Sequence, residues 1–359
     1  LEIADALGIK QRKDVSFPKA EVSINNLFRQ LKKAGLDYEF ITHRLIPRQL
    51  LAILESDSYE EKEKTESFFL QIAEILGRIF GWTTDSILDG SALKVDLAKA
   101  GAVNFKVPSR VESQRLNAYV LYAHYLALLV RETTKELPKS RIPIDPDEIR
   151  QKVEIEFESM TFENVLRYVW RLGVPVLPLT DHGAFHGACW RIKGRNIIVL
   201  KQRTRSLARW LFDLLHELWH VAQDPEKKEL SVIEASPTSR ERRESPDEEA
   251  ASQFAGDIIL CGRAEELAQR CVDEANGRVE WLKRAVSRVA AQEKVGIDSL
   301  ANYMAFRLSL QGINWWGAAE NLQATDSKPS EIAKAILLEH TRLDELNELD
   351  RDLLMLALS

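Results

Sequence analysis

The chain has 359 residues, of which 45% are apolar and 29% charged, and its formal net charge is −6. That is an ordinary globular composition with room for two or three compact units. The negative balance excludes a globally basic nucleic-acid or polybasic membrane binder. The longest apolar-looking run, Ala118–Val130, is too short to span a bilayer and carries a histidine. Three cysteines, Cys189, Cys261 and Cys271, form no C-x-x-C pair, which argues against a disulfide scaffold or a cysteine zinc knuckle. With no signal-peptide pattern at the start, a reducing cytoplasm is the expected compartment.

In chain order, residues 1–104 read as short helices. "INNLFRQLKKAGL" is helical, "LIPRQLLAIL" restarts after a proline, and "TESFFLQIAEILGRIF" is followed by a Gly-Trp-Thr-Thr break and a threonine-capped "TTDSIL". Residues 1–50 hold nine Lys/Arg and six Asp/Glu, a local excess of 9 − 6 = +3. That excess fits either a solvated helical surface or a DNA contact. Residues 111–134 form one long helix, which the prolines of "SRIPIDPDEI" break. "TFENVLRYVWRLG" is the next helix, ended by Gly173. Then the period changes. "VPVLPL" and "GACWRIKGRNIIVL" are β-like, with Gly194 at a hairpin turn. A helix over 207–222 follows, then a polar stretch over 224–249. "EEAASQFAGDIILC" is helical, and so is the last third. The expected class is α+β and mostly helical, a small sheet flanked by helical N- and C-terminal parts.

The helix after the hairpin carries His216, Glu217 and His220, an H-E-x-x-H pattern. Leu207, Leu211, Leu214, Leu218 and Ala222 form its core stripe. On the opposite side, His216 and His220 lie one turn apart, so both imidazoles can reach one ion in a cleft. Glu217 points elsewhere and suits a general base acting on a water at the metal. A catalytic zinc needs a third ligand. Glu248 shares a helical face with Ala251, Ala255 and Ile259, and the two small alanines would let that helix approach closely. Glu249 points about a quarter-turn away. His182 and His186, just before the hairpin, are candidate donors to the oxyanion of a tetrahedral intermediate, or else loop histidines without a role.

Taken together, "ACWRIKGRNIIVL", "FDLLHELWH" and E-x-x-A-x-x-F-A on Glu248, Ala251, Phe254 and Ala255 resemble the ImmA/IrrE family of zinc metallopeptidases over about residues 105–320. The resemblance implies a zincin-like core over 105–320, a Zn2+ ion held by His216, His220 and Glu248, and Glu217 as the base. Two positions depart from the family pattern: Trp219 stands where glycine is usual, and Ser252 where Asn or Asp is usual. The N-terminal region is similar to an Xre-type helix-turn-helix through Ile72–Leu88, which implies possible DNA contact. Residues 321–359 remain as a helical tail. The implied activity is zinc-dependent cleavage of a specific protein partner, an Xre-type repressor or a toxin, in a stress, mobile-element or toxin–antitoxin setting. The alternative is a DNA-binding regulator or antitoxin that grips its partner or senses metal without proteolysis.

Overall fold

The computed structural model describes residues 24–46, 62–89, 91–100, 110–181, 185, 187–234, 245–324 and 327–359. Helices predominate around one small mixed sheet, an α+β arrangement. The N-terminal helices are α1 (Ile24–Lys33), α2 (Lys62–Phe80) and α3 (Thr84–Leu88), the last capped by Thr83. The long helix is α4 (Arg110–Thr133). The restart after Pro47 lies outside the described residues.

Between the long helix and α6 (Phe162–Arg171) the sequence reading places only a break, but the structure has a helix there, α5 (Pro146–Phe157). Asp145 caps α5 by accepting from the Asp147 N–H, and Pro146 opens it, a favoured start that also halts the preceding chain.

Strands β1 (Val176–Leu179), β2 (Gly187–Ile192) and β3 (Arg195–Lys201) follow. Lys193 and Gly194, both at positive φ (51° and 73°), make the tight turn of the β2–β3 hairpin. The expected polar stretch over 224–249 contains a fourth strand, β4 (Leu230–Glu234), antiparallel to β2. Sheet order is β1-β3-β2-β4, with β1 and β3 parallel. All of β2 is buried, because both faces of the sheet are covered. On one face Trp190 meets His124 of α4 (ring centroids 5.6 Å apart). On the other lies α7 (Leu207–Ala222).

Beyond it come α8 (Pro246–Ile259), α9 (Ala264–Glu274), α10 (Val279–Glu293), α11 (Ile297–Leu310), α12 (Trp316–Glu320), α13 (Pro329–His340) and α14 (Glu348–Ala357). The C-terminal helix is tied back to the N-terminal part. Arg44 donates to the Leu356 carbonyl (3.0 Å), and Asp350 binds both Arg78 (2.9 Å) and the Tyr125 hydroxyl (2.6 Å). No helix among the described residues is long and apolar enough to cross a membrane.

Candidate metal centre

Helix α7 starts cleanly. Ser206 caps it by accepting from the Arg209 N–H at 3.0 Å. Its leucine stripe is in the core as expected, with Leu211, Leu214 and Leu218 buried. The opposite side differs from the expected open cleft: His216, Glu217 and His220 are only 1%, 1% and 5% exposed. The helix carries a second apolar set, Trp210, Phe212, Leu215 and Val221, so it is enclosed nearly all round.

The main neighbour on the histidine side is α8, whose close approach follows from Ala251 and Ala255, both fully buried. This places the Glu248 carboxylate, from the first turn of α8, over the two imidazoles. His216 Nε2 lies 3.3 Å from Glu248 Oε2, and His220 Nε2 lies 3.4 Å from Glu248 Oε1. The two Nε2 atoms are 3.2 Å apart. Glu249 faces solvent, as its helical phase requires.

The donor set fits zinc by chemistry and by size. Tetrahedral zinc with bonds of about 2.0–2.1 Å holds its ligand atoms about 3.3 Å apart, close to the separations here. Among the described residues, this group of three is the one His/Cys/Asp/Glu cluster able to hold a metal ion. Ser252, fully buried, sits with its Oγ 3.1 Å from His216 Nδ1. With Nε2 turned to the ion, Nδ1–H donates to this hydroxyl and the ring is fixed in tautomer and orientation. Trp219 is accommodated by packing on Phe254 of α8, ring centroids 5.2 Å apart.

Glu217 leaves α7 about 100° round from His216 and turns to the sheet. A Cβ built on Gly187 would stand 2.0 Å from Glu217 Oε1. The first residue of β2 therefore has to be glycine for this carboxylate to lie where it does. Sequence reasoning missed Gly187, although a glycine opening an otherwise apolar strand marks a close approach. It also missed Arg191, two pleats along β2 on the same face. That guanidinium donates to the carbonyls of Val221 (2.7 Å), Gln223 (3.1 Å), Lys227 (3.1 Å) and Asp224, and to Asn196 Oδ1 (2.7 Å). It closes the C-terminal end of the histidine-bearing helix, where a cation opposes the helix dipole. Its signal was a lone cation inside "ACWRI". His182 and His186 lie outside the described residues.

Comparison with protein-family models, with curated proteins and with solved structures finds no match.

Proposed function

We propose that this chain is a zinc-dependent endopeptidase with a zincin-like core, cutting a specific protein partner. The observation that carries the reading is the convergence of His216, His220 and Glu248 at 3.2–3.4 Å, with a fourth side chain, the acidic Glu217, buried on the helix of the two histidines. Three protein donors are the number a catalytic zinc takes, whereas a structural zinc usually takes four. Bound zinc would supply a Lewis acid that polarises the scissile carbonyl and acidifies water.

The chain's own residues do the rest. Ser252 orients His216. Gly187 leaves the room in which the Glu217 carboxylate lies. Glu217 accepts the proton of the attacking water and passes it to the leaving amine. His186 is the proposed donor to the developing oxyanion. The partner we propose is an Xre-type repressor or a toxin, reached through the flanking helical parts, with the N-terminal region as the candidate DNA contact.

The test uses Glu217→Gln, which keeps the shape and removes the base. The zinc-loaded variant is used to capture a partner from the native host, and that partner is then offered to the zinc-loaded wild type. Cleavage at a defined bond by wild type alone is expected. A captured partner left intact by wild type would sink the peptidase reading, and the binding-only regulator or antitoxin would replace it.

A further inference from the structure

A cleft of about 400 Å³ opens where β1 and β3 end, ringed by the loop 202–205, the start of α13 and the residues after α14. Four of its lining side chains are cations, Arg203, Arg205, Lys328 and Lys334, against one carboxylate, Glu331. That local excess stands out in a chain whose net charge is −6. Among the described residues no carboxylate forms an ion pair with Arg205, Lys328 or Lys334.

A second observation gives the same sign of field. Lys201, beside Gln202 of the cleft wall, is 5% exposed and lies over the Tyr119 ring, 4.2 Å from its centroid. Burial pushes its ammonium down to about 8. Arg115, Arg44 and Arg203 push the same way, against Asp181. Cations from three separate segments thus gather at this end of the sheet.

We propose that this cleft binds a small phosphate-bearing anion. Its volume falls in the small-ligand range of about 300–1,000 Å³. Four chain segments ring it, which suits a compact ligand rather than an extended peptide. Arginine forks match phosphate oxygens two at a time, and lysines add point charges. The first turn of α13, Pro329 to Glu331, forms another wall, and its dipole has the favourable sign. The site is separate from the zinc ligands, so it stands or falls independently of the peptidase reading.

The experiment is calorimetric titration of the full chain with inorganic phosphate, pyrophosphate and a glutamate octapeptide at matched ionic strength. Wild type is compared with Arg205→Gln, Lys334→Glu and, as an exposed cation on remote α10, Lys283→Glu. One-to-one saturable binding of pyrophosphate or phosphate is expected. Arg205→Gln and Lys334→Glu should each weaken it about tenfold or more, as loss of a charge-assisted contact does, while Lys283→Glu leaves it unchanged. Circular dichroism checks that the variants fold, and the milder Arg205→Gln keeps the test valid if the charge reversal does not. No saturable binding overturns the proposal. So does equal loss in Lys283→Glu, which would mean general charge screening, and so does an octapeptide that binds tighter than pyrophosphate.

Discussion

Strand β2 touches helix α7 at two places, and the two contacts are of opposite kinds. At one end Gly187 withdraws its side chain and the Glu217 carboxylate lies over it. At the other, Arg191 reaches across and gives its N–H groups to four backbone carbonyls and one amide oxygen. In the second contact the donors of a buried cation are used up by the protein, and nothing remains to hold a ligand. Near the first, two imidazole nitrogens and a carboxylate converge at 3.2–3.4 Å. With both Nε2 atoms in the acceptor tautomer, these groups repel one another unless a positive charge lies between them. The same helix therefore carries a structural polar cluster at its C-terminus and, one turn earlier, two of three side chains that could hold a metal ion.

The largest expected effect lies at that second cluster. His216→Ala should lose most of a one-per-chain zinc content, read by metal analysis. Glu248→Gln should weaken zinc far more than Glu249→Gln, which alters a side chain in solvent. Stoichiometric zinc in His216→Ala would break the comparison at once. Glu217→Gln should keep zinc and lose about 10²–10⁴-fold in the cleavage rate, the usual contribution of a general base. Gly187→Ala sharpens the point. It leaves every ligand in place but displaces Glu217, so zinc should stay while kcat falls with little change in KM.

Arg191 should behave in the contrary way. Arg191→Met strands carbonyl oxygens at the end of α7, at a cost of about 3 kcal/mol, each orphaned buried acceptor costing about 1–3. Urea unfolding would read it. The folded fraction should still carry its zinc. Arg191→Lys should recover little, since an ammonium has three donors and no fork. A variant with unaltered stability but lost zinc would make Arg191 part of the metal site rather than of the helix end.

The donor set was legible in sequence from helical phase together with the match of Glu248 to the E-x-x-A-x-x-F-A pattern. Spacing of four puts His216 and His220 together, and phase turns Glu248, not Glu249, toward Ala251 and Ala255. The hairpin was legible from Gly194. What escaped depended on tertiary partners. Strand β4 alternates Leu230, Val232 and Glu234 inside a charged stretch, and only pairing with β2 makes it a strand. Helix α5 was hidden by its own prolines, since Pro146 ends one segment and starts the next. The burial of His216 and His220 came from a second apolar set on α7 that a single-stripe reading overlooks. The role of Arg191 follows from where the end of α7 lies, which no local pattern states.

The smallest predicted effect concerns the face of β2 turned away from both contacts. There Trp190 meets His124 of α4 edge to face. Burial lowers the His124 pKa from 6.5 to about 4. The unfolded chain, with the ordinary value, takes up the proton first as pH falls. Between about 6.5 and 4 the unfolded state therefore binds more protons, and stability drops as the solution is acidified through that window. The full shift would correspond to about 3 kcal/mol, and partial exposure of the ring reduces this to about 1–2. His124→Phe removes the ionisable ring and keeps an aromatic partner for Trp190. Urea midpoints of wild type and variant, measured from pH 7.5 to 5, should converge or cross in favour of the variant as pH falls. Ionisations common to both proteins cancel in that difference. Because His124 and α7 lie on opposite faces of the strand, zinc content at pH 7 should be the same in both. Parallel pH curves would show that His124 takes up its proton as readily in the folded as in the unfolded chain, and that this face of β2 is wetter than its packing implies.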